Sequence, residues 1–346
     1  MELVPTRPNL FQFATSELSQ DAMLCWLASW ADPAASGQDQ ALHRLGQSFL
    51  QAAFAKHGQQ LPNIVQPIRV RRQHRNIDVL VVINDTIALC IEDKVGTTEH
   101  SGQLQRSVGG LKEDGFSEEQ IIPVYVQTGD QGSYESVRAA GYEILRRRDL
   151  IGLLHDYLGH GGSDSIVRDF HGYLSGIERK VEAFRILPFS EWDGDAWQGF
   201  YSELQHLLGD GKWDYVPTPA GGFFGYWWHE HSDAESNQYL QIEQHKLCFK
   251  ISVNDPSNRQ QLRSRWIDRI LTTARSGDFP AVRPPHLGTG TCMTVAVFDR
   301  EYRAVNKQGS LDLDATVATL RSAADFLDKA VAGEPEPSSS AAAQGA

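Results

Sequence analysis

Three residues in the stretch NIDVLVVINDTIALCIEDKVG, Asn76 to Gly96, have the types and spacing that hydrolytic chemistry needs: Asp78, Glu92 and Lys94. Two apolar runs flank the turn dipeptide Asn84-Asp85, so the stretch reads as a β-hairpin. Alternate residues share one face of a strand, which puts Glu92 and Lys94 together and Asp93 opposite. Folding at the turn brings Asp78 level with Ile91 and Glu92 on the neighbouring strand, about 4.8 Å away. The run Ile87 to Ile91 reads as buried on both faces, as a central strand is. Two carboxylates converging at the end of such a ribbon repel and need compensating charge. Lys94 supplies one positive charge. A divalent cation supplies the rest, and oxygen ligands suit Mg2+ or Mn2+. Such an ion polarises a phosphate and acidifies a bound water. The lysine then orients the nucleophile or stabilises charge developing on phosphorus.

Asp78, thirteen intervening residues and then Glu92-Asp93-Lys94 resemble the signature of the PD-(D/E)XK nuclease superfamily, with Asp on one hairpin strand and Glu-x-Lys on the next. The resemblance implies that Asp78 and Glu92 are metal ligands, that the backbone carbonyl of Asp93 adds an oxygen, and that Lys94 is the catalytic lysine. The usual proline before the aspartate is Ile77 here. Members often carry an acidic residue on an earlier helix. FATSELSQDAMLCWL offers Glu17 as that third ligand, with Asp21 one turn on. The exonuclease branch places a Gln in the helix after Glu-x-Lys. Gln103 stands nine residues past Lys94, but Ser107 takes the place of that branch's Tyr. The whole stretch from Asn9 to about Leu158 resembles a bacterial and phage-encoded group of the superfamily. That resemblance implies a restriction-endonuclease-like mixed sheet flanked by helices. It also implies a Mg2+- or Mn2+-dependent nuclease whose partner is nucleic acid, DNA in preference to RNA. The setting it implies is nucleic-acid processing or defence against foreign DNA.

The elements that would position these residues are legible around the hairpin. Ser16 or Ser19 caps a helix with Met23, Leu24, Leu27 and Trp30 at helical spacing. A second helix carries Leu42, Leu45, Phe49, Ala52 and Ala53 as its stripe and stops at Gly58. A strand is expected around Ile64 to Arg72, and a helix from about Glu99 to Lys112. QIIPVYVQT reads as a short buried strand, and GYEILRRRDLIGLLHDYL as a strand running into a helix. Strand, helix, strand after a hairpin implies a mixed sheet. Arg69, Arg71, Arg72 and Arg75 form a basic cluster that could track phosphates, together with Arg259, Arg263, Arg269 and Arg275 further on.

From about Pro188 the texture changes, and six of the eight tryptophans lie beyond it. GGFFGYWWHEH, QYLQIEQHKLCFKISV and CMTVAVFDR read as antiparallel strands. The expected organisation is therefore a nuclease-like α/β (α+β) domain over 1–187, a second α+β domain over 188–332 and an unstructured tail over 333–346. His229 and His231 stand at strand spacing but have no third ligand at a recognised distance along the chain, so they read as ordinary surface or packing histidines. GTGT at 288–291 reads as a turn, and the FFGYWW run as sheet core more readily than as a base-stacking platform.

The 346-residue chain is 41% hydrophobic, with enough apolar material for a real core. Its formal net charge of −12 is unlike that of a constitutive nucleic-acid coat protein. No apolar run approaches a membrane span and the N-terminus shows no secretory pattern. Cys25, Cys90, Cys248 and Cys292 are scattered through apolar runs, which reads as free thiols in a reducing cytoplasm. The acidic balance also fits a second reading: a nuclease scaffold without catalysis that binds a protein partner, or a second copy of itself, through its C-terminal half.

Overall fold

A computed structural model describes residues 7–96, 99, 102–218 and 221–333. The first six residues, His100 and the tail from 334 onward lie outside the described residues. Among the described residues no helix is long and apolar enough to cross a membrane. The chain forms two compact units, 1–182 and 183–346. The break precedes Phe184, whose ring packs on Trp192 and Phe200 of the second unit.

In the first unit, α1 (Glu17–Ser29) and α2 (Gln40–Lys56) precede three strands, β1 (Arg69–His74), β2 (Ile77–Ile83) and β3 (Ile87–Lys94). Then come α3 (Gln103–Glu113), β4 (Ile121–Gln127), α4 (Glu135–Ala139), β5 (Glu143–Arg146), α5 (Arg147–Gly159) and α6 (Ser165–Val181). The sheet runs β1-β2-β3-β4-β5, antiparallel among the first three strands and parallel from β3 to β5. It is a mixed sheet. Both hairpin turns use consecutive left-handed residues, Arg75-Asn76 (φ 50° and 65°) and Asn84-Asp85 (φ 50° and 58°), which match the twist of the flanking strands.

One face of the sheet, with Val79, Val81, Leu89, Ile91 and Val124, packs against Leu24, Leu27, Phe49, Leu154 and Phe170 of α1, α2, α5 and α6. The other, with Leu80, Cys90 and Tyr125, is covered by Leu104 and Leu111 of α3 and Val137 of α4. Each fully buried Leu or Phe contributes about 1.5–3 kcal/mol. β3 is therefore buried on both faces, and every polar residue on it needs a reason. Close contact sets the crossing of α1 and α2. A Cβ on Gly46 would lie 2.5 Å from the Ala31 nitrogen and 2.8 Å from the Leu27 oxygen, so any side chain there forces the helices apart.

Two boundaries differ from the sequence expectation. β1 begins at Arg69, not near Ile64, because Pro62 and Pro67 remove ladder donors from the segment before it. α3 begins at Gln103, not near Glu99, following Gly102 at a left-handed φ of 71°.

The second unit contains α7 (Gly194–Leu208), β6 (Lys212–Thr218), β7 (Gly221–Ser232), β8 (Asn237–Glu243), β9 (Lys246–Ser252) and α8 (Arg259–Gly277). The short strands β10 (Ala281–Val282), β12 (Ala304–Val305) and β13 (Leu311–Asp312) join β11 (Cys292–Phe298) and the last helix α9 (Leu313–Ala332). Six strands form an antiparallel sheet in the order β10-β11-β9-β8-β7-β6. Tyr226 and Trp228 of the FFGYWW run lie in its core with Trp197, Phe200 and Tyr201.

Candidate active site

The end of β3 gathers the polar groups. Val79 pairs with Ile91, so Asp78 faces Glu92 across the β2–β3 ladder. Lys94 ion-pairs with Glu92, and its Nζ lies 3.9 Å from Asp78 Oδ2. Asp78, Glu92 and Lys94 therefore converge on the α3 side of the sheet. Glu92 is 1% exposed and Lys94 6%. Oε2 of Glu92 is buried with no hydrogen-bond partner among the described residues. Burial, then the Asp78 charge, push the Glu92 carboxyl up to about 7 against the pull of Lys94. Burial works against the Lys94 ammonium, but Glu92, Asp78 and Glu17 together raise its pKa, so it stays charged.

Glu17 stands in the first turn of α1, where Ser16 caps the helix. Its Oε1 accepts from the Val95 backbone nitrogen at 3.4 Å, which brings the carboxylate to the mouth of the same strand end. The strand end is itself held from the next strand. Thr128 N donates to the Lys94 carbonyl at 3.0 Å, and a Cβ on Gly129 would lie 1.8 Å from the Val95 oxygen. Only glycine allows that approach.

Asp93 occupies the opposite face. Its backbone N–H donates to Asp78 Oδ2 at 2.9 Å, and its carboxylate, 0% exposed, accepts from Gln20 Nε2 at 2.5 Å. Gln20 in turn accepts from Thr128 Oγ1 at 2.8 Å. Asp21, equally buried, lies beside Asp93, and among the described residues neither Asp21 Oδ1 nor Asp93 Oδ2 has a hydrogen-bond partner. Burial, then the Asp78 charge, raise Asp21 to about 6. Burial, with Asp21, Asp78 and Glu17 nearby, raises Asp93 well above the carboxylate range despite the Gln20 hydrogen bond. The side chain of Asp93 thus points away from Glu92 and Lys94, and only its backbone belongs to their side of the site.

Several residues here were not singled out by the sequence. Gln73 lies opposite Asp78 at the end of β1, with a left-handed φ of 55°. Its Nε2 donates to Asp78 Oδ1 at 3.0 Å and to Asp21 Oδ2 at 3.1 Å, so it bridges the two faces. Gln127 pairs with Lys94 in the parallel ladder and shares its face. It is 1% exposed, and both its amide atoms lack a partner among the described residues. Glutamines give no sequence signal of this kind, because the bridge depends on an unusual backbone angle and the orphaned amide on the register of two parallel strands.

The remaining expected residues scatter. Gln103 opens α3, half-buried, while Ser107 is buried and donates to the Gln103 carbonyl at 3.2 Å. Arg69 and Arg71 lie on the Asp78 side of β1, and Arg69 pairs with Asp85. Arg72 is on the other side, 3.4 Å from the Leu18 carbonyl. Arg75 is tied to Glu113 at 3.0 Å and Asp114 at 2.8 Å. The four do not form one stripe, because strand alternation divides them. In the second unit Arg259 and Arg263 bind loop carbonyls, and Arg269 binds the carbonyls of Ala330, Val331 and Gly333 at the end of α9. These three arginines finish secondary structure, so the expected phosphate-tracking face on α8 is largely committed elsewhere.

The donor set suits a hard divalent cation: two facing carboxylates, one with an unpartnered buried oxygen, a third acid close by and no sulfur or imidazole. Residues 8–148 match the family model described as the PD-(D/E)XK nuclease superfamily. The matched segment runs from before α1 into the start of α5 and includes Glu17, Asp78, Glu92, Asp93, Lys94 and Gln103. Comparisons with curated proteins and with solved structures gave no match.

Proposed function

Residues 8–148 belong to the PD-(D/E)XK nuclease superfamily, and from that premise we propose that the chain is a Mg2+- or Mn2+-dependent phosphodiesterase acting on nucleic acid, DNA in preference to RNA. The observation that carries the reading is the convergence of Asp78 and Glu92 beside Lys94 at a buried strand end, with a Glu92 oxygen left unpartnered. Carboxylates so placed are costly without a cation.

In this reading Asp78 and Glu92 would hold the ion, with Glu17 completing its acidic side and the Asp93 carbonyl adding an oxygen. A cation held there would supply Lewis acidity towards the phosphate and acidify water. Asp78 is held in place by the Asp93 N–H and by Gln73, so its carboxylate does not have to reorganise. Lys94, charged and ion-paired, orients the attacking water and later faces the negative charge growing on the non-bridging oxygens. Water adds to phosphorus, one P–O ester bond breaks and the leaving oxygen takes up a proton. Gln103 at the start of α3, and Arg69 and Arg71 on the same side of the sheet, are placed to meet the backbone of the nucleic acid. Arg72 and Arg75, committed to Leu18 and to Glu113 and Asp114, take no part. The biological setting we assign is cytoplasmic defence against foreign DNA or nucleic-acid processing.

The test is incubation with single- and double-stranded DNA and RNA, each with Mg2+, Mn2+ or chelator. Cation-dependent cleavage is expected, lost by on the order of 10^3-fold or more in Asp78→Ala. Cleavage that persists in chelator or survives in Asp78→Ala overturns the reading.

A further inference from the structure

The second unit carries a separate cluster. His229 and His231 lie on β7, and Asp328 comes from α9, nearly one hundred residues further on. His229 Nε2 is 2.7 Å and His231 Nε2 is 2.9 Å from the same atom, Asp328 Oδ1. One ligand atom from each of the three residues falls within 4.8 Å of the others.

The local backbone is built to produce this convergence. In β7 the pairing with β8 slips between Trp228 and His231, so one extra residue is accommodated there. His229 sits in that bulge at a left-handed φ of 56°, a conformation costly for a residue with a Cβ. A bulge re-aims side chains, and this one turns the two imidazoles to a ring separation of 5.0 Å, nearly perpendicular at 80°. The His229 N–H donates to Asp210 Oδ2 at 3.0 Å, which secures the bulge. Oδ1 of Asp328 is offered to both rings at once. Two imidazole nitrogens and a carboxylate oxygen converging on a common point are what a tetrahedral metal requires, with the fourth position open.

We propose that His229, His231 and Asp328 bind a divalent metal ion of the zinc class, distinct in ligand chemistry from the all-oxygen site on β3. Imidazole selects zinc and its late first-row neighbours over magnesium. Metal–ligand bonds of about 2.0–2.1 Å set the ligand atoms around such an ion about 3.3 Å apart. The contacts of 2.7 and 2.9 Å need only a small outward rotation of Asp328, whose side chain is 48% exposed. The exposed side leaves room for a water as fourth ligand. The bound ion ties the bulge of β7 to α9.

The experiment uses the full chain carrying Asp78→Ala and Glu92→Ala, which removes the acidic site as a competing ligand set. Calorimetric titration with ZnCl2 should give one ion per chain, and CoCl2 should give the intense visible absorption of tetrahedral cobalt. Adding His231→Gln or His229→Gln should abolish both signals with an unchanged circular-dichroism spectrum. Adding Asp328→Asn should weaken binding at least tenfold. Absence of Zn2+ and Co2+ binding to the folded parent, or stoichiometry unchanged by both histidine substitutions, overturns the proposal. If a histidine variant loses its fold, Asp328→Asn alone decides: tenfold weaker binding sustains the site and unaltered affinity overturns it.

Discussion

The two faces of β3 at its C-terminal end solve the same electrostatic difficulty in different ways. On the α3 side Glu92 meets Asp78, and on the α1 side Asp93 meets Asp21. Each pair buries two carboxyl groups within reach of one another. The Glu92 side has an ammonium, an unpartnered oxygen and, in Glu17, a third acid at its mouth. On the Asp93 side no cation is ion-paired to either carboxyl among the described residues, and Arg72 supplies the nearby positive charge that lowers Asp21. Gln20 and Gln73 donate to the two carboxyls, one oxygen of each has no partner among the described residues, and burial raises the pKa of both. The difference teaches what each face is for. A carboxyl pair held by amide donors and raised in pKa is a support. A carboxyl pair with a lysine beside it and a third acid at its mouth still has capacity for a cation.

The strongest way to break this contrast is Lys94→Ala. Cleavage should fall by on the order of 10^3-fold if, as proposed, the lysine faces the charge that develops in the transition state. Mn2+ binding, followed by calorimetry, should persist, since the carboxylates remain. Loss of Mn2+ binding together with activity would show that Lys94 organises the ligands and does not act on the reacting phosphate.

Gln73→Ala tests whether the faces are joined. Gln73 holds Asp78 and Asp21 at once, so its removal frees a proposed metal ligand without removing any proposed ligand. Partners of this kind typically contribute 10–100-fold in metal affinity or activity, and a Mn2+ titration should show roughly tenfold weaker binding. Unchanged affinity would mean that the Asp93 N–H alone positions Asp78.

The supporting face has its own signature in pH. Asp21 is raised to about 6 from an ordinary 3.8, so the folded chain holds a proton that the unfolded chain has already released. Stability is then fully present below about pH 4 and declines as pH rises through 6, by about 3 kcal/mol at 1.36 kcal/mol per pKa unit. In Asp93→Asn an amide replaces the titrating carboxyl beside Asp21. Chemical denaturation across pH 4–8 should show a flatter profile, with Glu92 accounting for the slope that remains. A profile as steep as that of the wild type would place the proton elsewhere.

How much of this the sequence disclosed depends on the range of each interaction. The facing of Asp78 and Glu92 was legible because it needs only the strand period and the Asn84-Asp85 turn. The mixed sheet was legible from a hairpin succeeded by strand, helix and strand. The position of Asp93 on the far face was legible for the same reason, but its partners were not. Gln20 and Asp21 reach it through the packing of α1 on the sheet, and no local spacing encodes that. Gln73 was hidden by a left-handed backbone in a residue type that rarely adopts one. The dispersal of the arginines was hidden differently. RVRRQHR reads as one cluster, whereas strand alternation and the ion pairs of Arg75 with α3 send its members in different directions. Asp328 joins His229 and His231 only because α9 returns to β7.

The smallest expected effect sharpens the contrast furthest, and it concerns Gln127. Its amide shares a face with Lys94, is 1% exposed and has no hydrogen-bond partner among the described residues for either Oε1 or Nε2. A buried amide in that state costs stability, on the order of 1–3 kcal/mol, and a leucine of similar size carries no such penalty. Gln127→Leu should therefore raise the melting temperature of the cation-free protein, roughly 2–4 °C for about 1 kcal/mol in a unit of this size. If the amide serves the site, the same variant should cleave more slowly at unchanged Mn2+ affinity, since the residue adjoins Lys94 and is not among the carboxylates that would hold the ion. A site built for reaction at the expense of stability predicts those two changes together. A lower melting temperature with unaltered cleavage would make Gln127 part of the supporting framework, like Gln20 on the opposite face.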